Sequence, residues 1–207
     1  MLAECVRFLI YSIYLSLSDN PILIDDSKKS FFLDKSSGKK CYLLPARELC
    51  IIWSGSPQYW RWISLPEESR FPEVAELLNV CWLDICGKMS TSMLSPKTNY
   101  AAYLVYKLTE EAYGFDRLPP TVSVGTTEGG EPAVEPNQQD QIVPPQQQQH
   151  TSHPSQRKDG WLEIKLGEYF NEEGTDYELQ IRLLEGESRQ WKRGLIVEGI
   201  EIRPTKG

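Results

Sequence analysis

The sequence of 207 residues is long enough for one domain with appendages or for two small domains. With 40% apolar and 25% charged residues, it has the composition of a globular protein that buries a core. Its net charge of -7 repels phosphate backbones and anionic membranes, so we expect no nucleic acid among its partners.

The chain begins with an apolar run from Phe8 to Leu17. Because a helix needs ~20 apolar residues to cross a bilayer, this run predicts no membrane span. It also differs from a signal peptide, since Glu4 interrupts the basic start and no small-residue cleavage site follows. We therefore predict a terminal helix or strand that packs on the domain.

Short segments with a period of two follow. Residues 30–44, SFFLDKSSGKKCYLL, predict a hairpin about a Ser-Ser-Gly turn. Residues 71–80, FPEVAELLNV, are the one short stretch with a helical pattern, with Val74, Leu77 and Leu78 on one side. Residues 79–89 and 99–108 are apolar on both faces, which is typical of central strands.

The composition changes at Thr121, where Gln, Pro, Gly and Glu become abundant. Such a segment buries too little apolar area to offset the entropy of ordering it, so we predict a disordered insertion over residues 125–158. Alternating strands resume at Trp161, and Gly199 shifts the apolar phase of the last one, which indicates a β-bulge. The fold class predicted is all-β, an antiparallel β-sandwich with one short helix and this long insertion.

The sequence gives little support for a nucleophilic active site or for a metal site. The five cysteines form no CxxC pair, so we interpret them as small buried hydrophobes in a reducing compartment. Both histidines, His150 and His153, lie in the predicted disordered segment, which cannot hold a general base rigidly. We expect no metal site, no cofactor and no catalysis.

Three of the six tryptophans, Trp53, Trp60 and Trp62, fall within ten residues. In a strand, Trp60 and Trp62 project from one side, and the turn-rich SGSPQY before them brings Trp53 close. The side chains either fill the core or form an open surface on which the apolar face of a sugar ring stacks, with Gln58, Tyr59 and Arg61 binding hydroxyls. The spacing does not decide between these alternatives.

Five segments in a fixed order resemble the plant phloem protein 2 lectins, the group that includes the tobacco agglutinin. They are ARELCIIWSGSPQYWRWISLP, FPEVAELLNVCWLDICGKM, LSPKTNYAAYLVYKL, RKDGWLEIKLGEYFN and WKRGLIVEGIEIRP. The resemblance implies a jelly-roll type of sandwich that binds N-acetylglucosamine oligomers or N-glycan cores without catalysis. It also implies a location in the cytoplasm, with the nucleus as a second compartment, and leaves a homodimer open.

The resemblance further implies the binding residues. The family's two sugar-binding tryptophans align with Trp53 and Trp60, and two acidic positions of its site align with Glu178 and Glu185. Trp82, Trp161 and Trp191 are assigned mainly to the scaffold.

Residues 15–49 resemble the segment that follows the F-box in F-box phloem-protein-2-like proteins, which dock on a Skp-type subunit of a ubiquitin ligase. We therefore divide the chain into an atypical apolar segment, residues 1–15, in place of the F-box, and a lectin domain, residues 16–207. Docking on a Skp-type adaptor is expected only of a longer form that carries the F-box. Two other hypotheses remain: a protein–protein adaptor that has lost sugar binding, and a glycosidase, which needs two carboxylates roughly 5 to 9.5 Å apart.

Overall fold

A computed structural model of the chain describes residues 2–115, 121–127, 153–172, 176–186 and 190–205. These residues form one α-helix, thirteen β-strands and two short 3₁₀ turns at Ala46–Glu48 and Thr91–Met93. The bounds are α1 Leu2–Asp19, β1 Ile22–Ile24, β2 Lys29–Leu33, β3 Lys40–Pro45, β4 Cys50–Ile51, β5 Trp60–Ile63, β6 Val74–Leu77, β7 Leu83–Ser90, β8 Thr98–Tyr113, β9 Thr121–Thr127, β10 Ser155–Gln156, β11 Leu162–Asn171, β12 Glu178–Glu185 and β13 Arg193–Pro204.

The strands form two antiparallel sheets. The larger has the order β1-β2-β3-β13-β8-β11-β10, with β6 also paired to β13 and β5 to β6. The smaller has the order β4-β7-β12-β9. The predicted all-β antiparallel sandwich is confirmed.

The core lies between the two sheets, because the inward positions of both are apolar. In β12, Leu179, Ile181 and Leu183 are buried, as their alternation predicts. A second, smaller cluster lies on the other face of the larger sheet and includes Trp161.

The hairpin predicted over residues 30–44 is confirmed as β2 and β3, in which Phe31 lies opposite Tyr42. The β-bulge predicted at Gly199 is also confirmed, since the pairing of β13 with β8 shifts between Val197 and Gly199. A side chain at Gly199 would place its Cβ 2.0 Å from the carbonyl oxygen of Leu44. The glycine therefore allows β3 to approach the bulge.

Two sequence predictions need correction. Residues 74–77 form strand β6 rather than a helix, because pairing with β5 and β13 outweighs the weak helical pattern. The disorder predicted over residues 125–158 is wrong near both ends of that range, because residues 125–127 extend β9 and Ser155–Gln156 pair with β11. Residues 128–152 lie outside the described residues.

The N-terminal run forms the helix α1, which contacts the β2–β3 hairpin. The hydroxyl of Tyr14 donates to the carbonyl of Lys35 at 2.7 Å, and Lys35 pairs with Asp19. Farther toward the N-terminus the helix leaves apolar side chains in solvent, and Phe8 is 73% exposed. No helix in the described ranges has the length and apolar character needed to cross a membrane.

The cysteines are less buried than predicted. Only Cys41 is fully buried, and burial raises the pKa of its thiol. Cys5 and Cys50 are exposed, because each lies on a surface position of its helix or strand.

Candidate functional site

The turn between β4 and β5 presents Trp53. Its backbone has φ of 58°, a left-handed conformation that a bulky L-residue rarely adopts. Backbone hydrogen bonds from Ser54 to Ile51 at 3.1 Å and from Ser56 to Trp53 at 2.9 Å close the turn. Residues held in such strained conformations cluster at functional sites.

The ring of Trp53 is 42% exposed and lies beside that of Tyr59, with centroids 5.4 Å apart and planes inclined at 41°. Tilted aromatic pairs at this distance attract each other beyond simple burial. Tyr59 therefore supports one side of the partly exposed Trp53 indole.

Trp60 is placed differently from the sequence expectation. It is 2% exposed, packs in the main core, and donates its indole N–H to the carbonyl of Ile52 at 3.1 Å. As the first residue of β5, it points toward the core, whereas Trp53 lies in the preceding turn. Of the two alternatives that the spacing left open, Trp60 fills the core and Trp53 lies on the surface.

Trp62 completes the support of the turn. Its indole N–H donates to the carbonyl of Ser54 at 3.3 Å, and the guanidinium of Arg47 stacks on its ring at 3.6 Å. The two strand tryptophans thus bind the carbonyls on either side of Trp53. They hold the residue that is exposed, rather than offering a surface themselves.

Glu178 lies at the far end of the smaller sheet. It pairs with Ser90, whereas the amide of Ile52, next to Trp53, donates to the carbonyl of Asp84 at 3.0 Å. Ser90 and Asp84 are six residues apart on β7, so Glu178 lies about 20 Å along the strand from Trp53. The structure does not bring these two predicted residues together.

The carboxylate of Glu178 is exposed and accepts hydrogen bonds from Lys88 at 2.8 Å and from Gln180 at 3.0 Å. These two bonds lower the pKa of Glu178. Glu178 and Lys88 also line an open depression of about 280 Å³, with Ser90 and Tyr177. This depression is a second surface, separate from Trp53.

Glu185 lies at the same end of β12 as Trp53 but is turned inward. Its carboxylate forms an ion pair with the buried ammonium of Lys192. That ammonium also donates to the carbonyls of Cys81 at 3.2 Å and Gln190 at 2.9 Å. A nearly buried carboxylate that is already ion-paired is poorly placed to accept a sugar hydroxyl.

Glu178 and Glu185 cannot form a glycosidase pair. They are seven residues apart on one strand, which corresponds to about 23 Å, far beyond the separation of roughly 5 to 9.5 Å that glycoside hydrolysis needs. In the described part of the chain, no group of three or more His, Cys, Asp or Glu residues is arranged to hold a metal ion.

The assignment of three tryptophans to the scaffold holds for one of them. Trp161 is buried and donates its indole N–H to the carbonyl of Glu68 at 2.8 Å. Trp82 is 47% exposed and Trp191 52% exposed. The strand alternation indicates that Trp82 is exposed. Leu83 and Ile85 point inward, so residue 82 points outward.

Four aromatic residues lie just before or after strand ends at one end of the sandwich, and we call them the aromatic rim. They are Trp53, Tyr59, Trp82 and Trp191. None of the three rim indoles donates a hydrogen bond to a residue in the described ranges, whereas the indoles of Trp60, Trp62 and Trp161 all do. Exposed aromatic faces with a few polar groups around them are typical of a domain that binds small ligands.

Comparisons with known proteins agree with this class. The sequence profile of the family "Phloem protein 2" matches residues 39–204. The chain is 46% identical to "F-box protein At2g02240" of Arabidopsis thaliana, over 94% of this chain and 61% of that protein. It is 44% identical to "Putative F-box protein PP2-B2" (94% and 63%) and to "F-box protein PP2-B10" (94% and 71%) of the same plant.

The chain belongs to the phloem protein 2 family, whose domains are lectin-like and are not known as enzymes. The resemblance seen in the sequence is thereby confirmed. The chain spans about three fifths of the length of the first two of these relatives, whose names designate them as F-box proteins.

Proposed function

We propose that this domain binds carbohydrate without covalent chemistry and that Trp53 is the platform on which a sugar ring stacks. The observation that carries the proposal is the backbone of Trp53. A left-handed conformation is costly for tryptophan, and two indole hydrogen bonds maintain it while the ring stays in solvent.

The chemistry of the turn suits a saccharide. A pyranose ring has an apolar face of axial C–H bonds, which an indole covers, and hydroxyls around its edge that need polar partners. Gln58 is exposed and Tyr59 half-buried beside Trp53, so both are positioned to bind hydroxyls. Arg61 is already engaged with Glu76 at 2.9 and 2.6 Å and is less suited to that role.

The ligand class that we propose is the one that the family resemblance implies. Oligomers of N-acetylglucosamine and the cores of N-glycans, carried by N-glycosylated proteins, are the ligands we propose. In this proposal the site consists of Trp53 with Tyr59, while Trp60 and Glu185 support the structure. Glu178 contributes only to ligands long enough to reach the far end of the sheet.

Calorimetric titration of N-acetylglucosamine oligomers tests this proposal. The variant Trp53→Ala should lose at least about tenfold in affinity, as truncation of a central aromatic contact does. A matched control is Phe170→Ala, because Phe170 is similarly exposed but lies on β11, outside the turn between β4 and β5. Equal affinity of wild type and the folded Trp53→Ala variant would remove Trp53 from the site.

For the longer protein we propose the role of a substrate receptor of a ubiquitin ligase, in which an F-box binds a Skp-type subunit and this domain selects glycosylated targets. The names of the relatives and the share of their length that the chain spans support it. In this proposal the protein acts in the cytoplasm or nucleus, the location that the family resemblance implies. An in-frame F-box upstream of Met1, with co-purification of a Skp-type subunit, is the expected result; a full-length transcript without one contradicts it.

A protein–protein adaptor is the second candidate, and the exposed apolar side chains of α1 favour it. Phe8, Leu9 and Ile10 are all more than half exposed, as in helices that bind a partner. Pull-downs before and after enzymatic deglycosylation separate the two functions. Partners that are lost on deglycosylation support the lectin, and partners that persist support the adaptor.

A further inference from the structure

The indole of Trp82 has one covered face and one open face. It lies on Gly186 of the neighbouring strand segment, where an added Cβ would stand 3.5–3.6 Å from the ring atoms. The residue as a whole is 47% exposed. A planar ring supported from below by backbone is a rigid platform for a flat ligand.

Trp191 is brought next to this platform by an isolated bridge between Val80 and Lys192. The amide of Val80 donates to the carbonyl of Lys192 at 3.0 Å, and the amide of Lys192 donates back at 2.6 Å. Because the bridge is antiparallel, Trp191 lies opposite Cys81, the residue before Trp82. The two half-exposed indoles therefore project from neighbouring segments.

The buried ammonium of Lys192 ties these segments together. It binds the carbonyl of Cys81, which precedes Trp82, and the carbonyl of Gln190, which precedes Trp191. It also pairs with the carboxylate of Glu185, which precedes Gly186. One cation thus fixes the three residues that set the positions of both rings.

This group is continuous with Trp53. The hydrogen bond from Ile52 to Asp84 places the turn of Trp53 one strand away from the start of β7, a spacing of roughly 5 Å between the two backbones. Trp82 lies two residues before Asp84, immediately before β7 begins. The two tryptophans therefore extend from neighbouring backbone segments at the same end of the smaller sheet, where one linear oligosaccharide could contact both.

We propose that Trp82 and Trp191 form a second saccharide subsite, which binds further residues of the oligosaccharide whose first ring stacks on Trp53. Lys192 and Glu185 are its positioning residues. The inference rests on the proposed carbohydrate binding and adds to it a preference for longer chains.

The polar surroundings favour a saccharide over an apolar peptide. Asp84 and Arg182 form a bidentate ion pair at 2.8 and 2.5 Å on the outer face beside Trp82. The hydroxyl of Tyr113 donates to Asn79, next to Val80. Flat aromatic faces beside polar groups match a ring with apolar faces and a hydroxylated edge, because its hydroxyls can bind the N–H groups and oxygen lone pairs that these polar pairs leave available.

Titration of a length series of N-acetylglucosamine oligomers, from dimer to hexamer, tests the subsite. Wild type should gain affinity with length. Trp82→Ala and Trp191→Ala should bind the dimer as wild type does and lose at least about tenfold for the hexamer. Trp53→Ala should weaken binding at every length, and Phe170→Ala at none.

The outcomes separate the two proposals. If wild type binds no oligomer, the proposed function fails and the subsite with it. If wild type binds and both rim variants match it at every length, or lose affinity equally for dimer and hexamer, the second subsite is overturned while the proposed function stands. Binding of deglycosylated protein partners that Trp82→Ala abolishes also overturns it, in favour of a protein-docking surface.

Nuclear magnetic resonance of the indole N–H groups gives a readout that does not depend on variants. The hexamer should shift the signals of Trp82 and Trp191, while that of the buried Trp161 stays in place. Glu185→Gln should weaken the hexamer more than the dimer while Trp161 keeps its signal, as expected of a residue that positions the second subsite. Shifts confined to Trp53 in wild type contradict the subsite.

Discussion

The indole N–H of Trp60 donates to the carbonyl of Ile52 at 3.1 Å, immediately before the exposed Trp53. A buried residue thereby controls the position of a surface residue. Trp60→Phe keeps most of the apolar volume but leaves the Ile52 carbonyl without this donor. We expect about 1–3 kcal/mol of lost stability in urea unfolding, and weaker binding of every oligomer because the turn is released.

Trp161→Phe is the matched control for this variant. It also removes an indole hydrogen bond from a buried ring, here to the carbonyl of Glu68 at 2.8 Å. It should reduce stability by a comparable amount and leave glycan affinity unchanged. Equal effects of both variants on affinity would show that Trp60 acts through general stability alone.

The left-handed backbone of Trp53 predicts an unusual preference for glycine. At φ of 58° an L-residue costs roughly 1–2 kcal/mol that glycine avoids. Glycine also increases the entropy of the unfolded chain, which offsets part of this gain. Trp53→Gly should therefore be about 1 kcal/mol more stable than Trp53→Ala. Both variants lose the ring, so both should lose glycan affinity; thermal unfolding measures the difference between them.

Phe170, exposed on the extended strand β11, provides the comparison. There, Phe170→Gly should be less stable than Phe170→Ala by about 0.5–1 kcal/mol, since glycine weakens a strand. Finding the same order of stability at both positions would contradict the strain assigned to Trp53.

Much of the fold is predictable from the sequence, because each strand has a local signal. The alternation in β12 fixes which side chains enter the core, and the phase shift at Gly199 marks the bulge. The prediction was wrong at Val74–Leu77, where the apolar residues fit either a helix or a strand. Pairing with β13, more than a hundred residues away, decides the outcome, and no local pattern contains that information.

The candidate site was less predictable for the same reason. Trp53 and Trp60 look equivalent in sequence, yet one lies in a turn and the other begins a strand. The direction of Glu185 depends on Lys192, which reaches it only in the folded chain. Burial and partners of single side chains follow from tertiary contacts, which spacing alone does not determine.

We expect Glu198 to make the folded protein less stable as pH rises. Burial raises the pKa of its carboxyl, and the charge of Arg70 and a hydrogen bond from Ser69 at 3.1 Å offset this only in part. The folded state therefore binds the proton more tightly than the unfolded state, so stability decreases from about pH 4 up to the raised pKa. Glu198→Gln should stabilise the protein at pH 7 and lose this advantage below about pH 4, as measured by urea unfolding across pH.

Glu163 provides the opposite case. Burial alone raises the pKa of its carboxyl, but hydrogen bonds and charge from Arg203 and Arg157 outweigh burial and lower it. Its contribution to stability is therefore present above the ordinary carboxyl pKa and is lost as pH falls through the lowered one. Glu163→Gln should destabilise the protein at pH 7 and less so in acid; the same sign for both variants would contradict these assignments.

Glu178 should matter little for short ligands, because it lies about 20 Å along the sheet from Trp53. Glu178→Gln keeps the shape of the side chain and removes the charge that pairs with Lys88. Since that pair is exposed, we expect little change in stability and unchanged affinity for N-acetylglucosamine dimers. Urea unfolding measures the stability, and calorimetric titration beside Trp53→Ala measures the affinity. A loss of dimer affinity in Glu178→Gln would place the first sugar ring at the far end of the sheet instead of on Trp53.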